Sequence, residues 1–218
     1  MLRAWLRCVI AAALASPALA SAATTIDYNP SYFDAYYLPS AKIKTTFETG
    51  LGDASFKDTG DGYGVKTRLG FGEMFFASGE YQANDYTTEE DDNEDLDRDL
   101  NIYRIGGGLA VPNTPFFVEG EYIGVDAGDD NEGTDEESNG YGIHGGAAMT
   151  VGERVTLNAK LGYIDIDDYD GFEYLVGGAF NFTTRFAVFA DYRGTDLEGG
   201  GNTKLELNDF RTGVRFTF

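Results

Sequence analysis

Cysteine is all but missing from this chain. The only one, Cys8, lies close to the start, as does the only tryptophan, Trp5. From residue 23 onward there is no thiol, which excludes disulfides and a lipid-bearing cysteine at a processed N-terminus. Basic residues are scarce as well. Sixteen lysines and arginines stand against 37 aspartates and glutamates, a formal net charge of −21. Such a surface repels nucleic acid, whose binding needs cationic contacts to phosphate. Long apolar runs are also lacking. No stretch after the first residues reaches the roughly 18 apolar residues of a membrane helix, so helical spans are excluded. A β-barrel escapes that exclusion, because only every second residue of its strands must be apolar.

What is present begins with an address. Arg3 and Arg7 form a short basic region and Val9 to Ala15 an apolar one. Ala18-Leu19-Ala20 and Ala20-Ser21-Ala22 both fit a small-residue cleavage site, so residues 1–22 read as a signal peptide and 23–218 as one exported domain. Acidity this strong is compatible with disorder, but 29 glycines, 14 tyrosines and 16 phenylalanines argue for a folded chain with an apolar environment.

The remainder reads as segments of period two. In the last, Phe210, Thr212, Val214, Phe216 and Phe218 share one face, opposite Asp209, Arg211, Gly213 and Arg215. The same alternation recurs around Phe186–Tyr192, Tyr174–Phe182, Val155–Tyr163, Tyr141–Val151, Phe116–Tyr122, Tyr103–Val111, Phe75–Tyr81 and Tyr63–Phe71. A less regular first strand falls within Tyr32–Lys44, where Pro39 is awkward inside a sheet. That makes about ten strands, or eight if two segments are folded-over loops. Tight turns at Gly72-Glu73, Pro112–Thr114, Gly152–Arg154 and Thr183-Thr184 alternate with longer polar connections at Thr45–Gly60, Thr87–Arg98, Ala127–Ser138, Asp168–Asp170 and Leu197–Asn202. Short turns at one end and long loops at the other predict an all-β, up-and-down antiparallel transmembrane barrel with both termini on the periplasmic side. A soluble β-sandwich is the alternative. Aromatics near the ends of the apolar faces and a chain stopping on a strand residue favour the barrel.

The terminal run Phe210-Arg211-Thr212-Gly213-Val214-Arg215-Phe216-Thr217-Phe218 resembles the closing strand of Gram-negative outer-membrane barrels. The Gly-Tyr-Gly openings at Gly62–Gly64 and Gly140–Gly142 resemble the small porin-like and OmpA-like barrel families. The resemblance implies residence in the outer membrane, contact with its lipid and lipopolysaccharide, and Phe218 as a signal read by the barrel assembly machinery. It implies no activity, because such folds host adhesins, pores, enzymes and structural proteins.

Chemistry has two places to reside. The polar phase turns Lys42, Lys66, Arg68, Arg104, Lys160, Arg193, Arg211 and Arg215 into the lumen, with Asp34, Glu80, Glu119, Glu121, Glu173 and Asp191. A salt-bridged plug is favoured over a charged constriction, since a narrow barrel is filled by its own side chains and unpaired buried charge is costly. His144, the only histidine, faces the lumen near mid-strand. With no serine or aspartate patterned beside it, it reads as an interior hydrogen-bonding residue rather than a general base. At the loops, about half of all the acidic residues gather in Thr87–Asp99, Asp126–Ser138 and Asp165–Asp170. Asp91, Asp92, Asp129, Asp130, Asp165 and Asp167 are candidates for weak, collective binding of divalent cations. Their spacing matches no specific metal loop. The expectation is therefore a barrel without catalysis or cofactor, serving envelope structure or surface interaction. A narrow cation-preferring channel comes second, and a barrel enzyme acting on lipid or peptide third.

Overall fold

The computed structural model describes residues 24–25, 30–49, 52–88, 96–129, 134–200 and 202–218. The leader expected at residues 1–22 lies outside them. Ten long strands form one closed antiparallel sheet: β2 (Tyr32–Thr49), β3 (Gly52–Phe71), β4 (Phe75–Thr88), β5 (Leu96–Ala110), β6 (Phe116–Asp129), β7 (Thr134–Val151), β8 (Val155–Ile166), β9 (Tyr169–Asn181), β10 (Phe186–Gly199) and β11 (Thr203–Thr217). Each pairs with the next in sequence, and β2 against β11 closes the ring. The two-residue β1 (Thr24–Thr25) lies beside Thr150 and Val151 at the end of β7. The count is ten, not eight.

The tight turns fall where the sequence places them. Gly72 and Gly152 sit there with φ of 66° and 67°, and Asn113 with 63°, the left-handed region that a short reversal of direction needs. Outside the barrel, phenylalanine rings the short-turn end, with Phe33, Phe71, Phe75, Phe116, Phe182 and Phe186 all exposed. Tyrosine rings the other, through Tyr37, Tyr63, Tyr81, Tyr122, Tyr141 and Tyr163. Their hydroxyls donate outward: Tyr37 to Asp61 (2.9 Å), Tyr81 to Asn101 (2.9 Å), Tyr141 to Asp165 (3.1 Å) and Tyr163 to Asp170 (2.6 Å). Between the two belts the wall is Val65, Leu69, Ile105, Val118, Ile143, Val176 and Val214, with Ile105 67% and Ile143 65% exposed. A continuous apolar girdle of this extent is unsustainable in water, and it is what a hydrocarbon layer requires. Closure satisfies every backbone group within that layer. The protein is a transmembrane barrel of the Gram-negative outer-membrane type.

Two features differ from the sequence-based expectation. The long connections are mostly strand: only residues 50–51 separate β2 from β3, and residues 130–133 separate β6 from β7. The reason is a second core. Beyond the tyrosine belt the apolar residues move to the inward parity, so Ile102 follows outward Tyr103, Ile123 outward Tyr122 and Ile164 outward Tyr163. With Leu197 they form a buried cluster, backed by Leu100, Val125, Ile166, Tyr169 and Leu205. The barrel thus continues above the membrane as a water-facing sheet closed on its own apolar interior.

The other difference is Lys42, expected in the lumen. Register shifts between Leu38 and Ala41 against β3, and between Phe210 and Thr212 against β11, place a bulge at Pro39-Ser40. One extra residue inverts the facing of everything after it. Ala41 is buried and Lys42 is exposed on the outside.

Candidate functional site

Each of the ten barrel strands sends at least one charged or ionisable side chain into the lumen at the level of the membrane. Period-two geometry dictates this: on strands whose outward parity faces lipid, charge is tolerable only on the inward one. Glu173 on β9 is the hub and is fully buried. Arg104 on β5 reaches across the lumen to grip both its oxygens at 2.9 and 2.6 Å, and Thr195 on β10 donates a third bond at 3.3 Å. Arg104 also donates to Glu121 on β6 at 3.0 Å. Lys160 on β8 lies among three carboxylates, 3.5 Å from Glu121, 3.6 Å from Glu119 and 3.8 Å from Glu173.

A second node centres on Glu80 of β4. Arg193 of β10 contacts both oxygens at 2.9 and 2.7 Å, Arg211 of β11 donates at 2.6 Å, and the Tyr36 hydroxyl of β2 at 2.8 Å. Arg211 also holds Asp191 at 2.6 Å. Toward the short-turn end, Arg215 grips Asp34 with two bonds of 2.7 Å and lies 3.9 Å over the Tyr32 ring. There, Arg68 lies flat over Phe76, 3.5 Å from its centroid. Bidentate arginine–carboxylate pairs are among the stronger hydrogen-bonded contacts; Arg104–Glu173 and Arg193–Glu80 bridge β5 and β4 to strands on the opposite wall, while Arg215–Asp34 ties the neighbouring strands β11 and β2.

His144 on β7 sits inside the first node, with Nδ1 3.2 Å from Glu121 and Nε2 3.3 Å from Glu173. Neither nitrogen makes an angularly acceptable hydrogen bond. Glu121, His144 and Glu173 do converge closely enough to hold a metal ion. The chemistry of the surroundings argues against it. Arg104 and Lys160 already neutralise these carboxylates, and a dication would have to displace or oppose both. The centre is an ion-pair node. Apolar residues flank it: Tyr36, Leu38, Ala179, Ala187 and Phe189 form one buried cluster, and the Ile102–Ile123–Ile164–Leu197 cluster covers the node from outside.

The structure therefore gathers in the lumen Lys66, Arg68, Glu80, Arg104, Glu119, Glu121, His144, Lys160, Glu173, Asp191, Arg193, Arg211 and Arg215. Sequence reasoning missed Tyr36, Ser78, Gln82, Thr195 and Asp209. Gln82 donates to Asp209 at 3.0 Å and both are buried; they share the inward parity of Glu80 and Arg211, which was the signal available. Of the acidic rim, Asp165 accepts from Tyr141 and Asp167 accepts from the Asn139 backbone at 3.3 Å. Asp129 ends β6, and Asp91, Asp92 and Asp130 lie outside the described residues. Phe218 follows β11, its backbone N–H donating to the Ser31 carbonyl at 3.1 Å and its ring stacked on Phe216.

No protein-family model matches the chain, and no curated protein does. Among solved structures, the translocator domain of the autotransporter NalP from Neisseria meningitidis superposes with a TM-score of 0.49 at 14% identity, covering 97% of this chain and 98% of that one. The outer-membrane protease OmpT from Escherichia coli gives 0.47 at 12% identity, covering 92% and 100%. Neisserial surface protein A gives 0.42 at 16%, covering 86% and 97%. These likenesses are distant, and the assignment rests on the closed sheet, its apolar girdle and its charged interior: the chain is an outer-membrane β-barrel.

Proposed function

We infer that this barrel is neither a pore nor an enzyme, and that it serves as a membrane-anchored platform holding an acidic, β-structured head above the outer leaflet. The observation that carries this reading is that the lumen is closed twice. Ion pairs cross it from wall to wall at mid-membrane, and an apolar cluster fills it directly above. An ion entering from outside would have to displace dry aliphatic side chains and then break buried arginine–carboxylate pairs. His144, the only histidine, lies within the ion-pair layer and beneath the apolar one, where a lipid or peptide substrate from outside cannot approach. Envelope stabilisation or contact with another surface fits a rigid acidic head of this kind. Lipopolysaccharide is the natural neighbour, reached through divalent cations held weakly at Asp165, Asp167 and the acids of the adjoining connections. Phe218, next to the closing strand, suits recognition by the assembly machinery.

Planar-bilayer recording tests the central claim. The detergent-folded protein is expected to insert without discrete current steps. Reproducible, cation-preferring steps would overturn it in favour of the narrow channel.

A further inference from the structure

Below the ion network the lumen is not filled. A chamber of about 100 Å³ lies between the walls of β3, β6, β8 and β11, and it adjoins a wider vestibule of about 580 Å³ at the short-turn, periplasmic mouth. On this measure a single water needs about 10–15 Å³, so the chamber takes several. That is room for one tetrahedral or planar anion with part of its hydration.

The lining is unbalanced in charge. Lys66, Arg68, Lys160 and Arg215 face the chamber, against Glu119 and Asp191. Both carboxylates are already engaged. Asp191 is held by Arg211 at 2.6 Å, and Glu119 accepts from the Ser78 hydroxyl at 2.5 Å with Lys160 at 3.6 Å. Lys66 faces the chamber among carboxylates whose oxygens other groups hold directly. Its cross-strand neighbours are Asp34 on β2 and Glu80 on β4. Arg215 takes both oxygens of Asp34, while Arg193, Arg211 and Tyr36 surround Glu80. Among the described residues Lys66 makes no ion pair or hydrogen bond, although it is half-buried. Glu80 and Asp191 attract its charge from a distance, and an oxyanion entering from the periplasm supplies the direct hydrogen-bond acceptors that its ammonium lacks. Asn158 and Ser78 add directional polar groups to the same wall, which suits an oxyanion with several acceptor atoms better than a halide.

We propose that this chamber is a binding seat for one phosphate-type oxyanion, entered from the periplasmic mouth and anchored on Lys66. The group arrives either as a free phosphate or as the headgroup of an inner-leaflet phospholipid. The seat stands apart from the closed-lumen reading above, because it opens to the periplasmic mouth and meets the blockage only at Glu119, Lys160 and Asp191.

Calorimetric titration of the detergent-folded full chain tests it, at fixed ionic strength, with inorganic phosphate in one arm and a short-chain phosphatidic acid in the other. Saturable one-site binding in either arm supports the seat, and the arm that binds names the source. Lys66→Met is expected to weaken it by roughly tenfold or more, and Lys57→Met, at the far end of β3, to leave it unchanged. Absence of saturable binding in both arms, or equal affinity in Lys66→Met, overturns the proposal. Should Lys66→Met fail to give a folded barrel, amine labelling of the unaltered protein decides. Ligand is expected to slow modification of Lys66 and not of Lys57, and equal rates with and without ligand would refute the seat.

Discussion

At the scale of single residues, the two kinds of ion pair in this barrel differ by where they sit. Lys44 and Glu206 are 3.2 Å apart with side chains 34% and 42% exposed. Such a pair contributes about 0–1 kcal/mol, since water and salt screen it. Glu173 is fully buried and compensates Arg104 and Lys160 together. Glu173→Ala leaves those cations one carboxylate short, with Glu119 and Glu121 still beside them, and the expected loss is about 3–5 kcal/mol, against about 1 kcal/mol or less for Glu206→Ala. Urea unfolding of the two variants in lipid vesicles measures the contrast; equal losses would mean that the network is hydrated and not a plug. The inward facing of Glu173, Arg104 and their companions was legible in the sequence, because a charge on the lipid-facing parity is too costly to keep. Their choice of partner was not legible. Arg104 meets Glu173 only because closure sets β5 opposite β9, and nothing local to either strand encodes that distance.

Strands show where pattern reading stops. From Tyr103 to Leu109 on β5, and from Phe116 to Tyr122 on β6, apolar residues mark the lipid side and the phase is plain. Above Tyr103 and Tyr122 the apolar residues change parity, and with a lipid-facing rule in hand the segment resembles a loop. The same physics acts in both halves, since apolar surface leaves water in each. Only the location of the apolar medium changes, from lipid outside to core within. At Pro39 the obstacle is different. Proline lacks the N–H for a ladder bond, and the sheet absorbs it as a bulge that turns Lys42 outward. With Cys8, the only cysteine, replaced by serine, single cysteines read this facing directly. Lys42→Cys should react rapidly with a water-soluble maleimide in the folded barrel, and Ala41→Cys, at 0% exposure, should be protected until unfolding. The reverse order would remove the bulge and restore Lys42 to the lumen.

For the whole molecule, the ring of ten strands, the loop asymmetry and the apolar girdle follow from alternation along the chain. How the lumen's side chains meet follows only from which walls face each other across it. On the closed-lumen reading, two seals of unlike chemistry are stacked in series, and blockage needs only one of them. Trimming the upper seal with Ile102→Ala and Ile123→Ala removes aliphatic volume at a cost of about 2–5 kcal/mol per site. The arginine–carboxylate layer beneath still spans the lumen, so this variant is expected to stay silent in planar bilayers. Removing Arg104 and Glu173 together, as Arg104→Ala with Glu173→Ala, takes away a matched pair and leaves less uncompensated charge than either change alone. It too should remain closed, now by the cap. Only the fourfold variant, checked for a heat-shifted folded band on gels, is expected to show small, frequent current steps. Conductance from the cap variant alone would mean that the ion network is porous to water and salt. The barrel would then be a channel held shut by four aliphatic side chains.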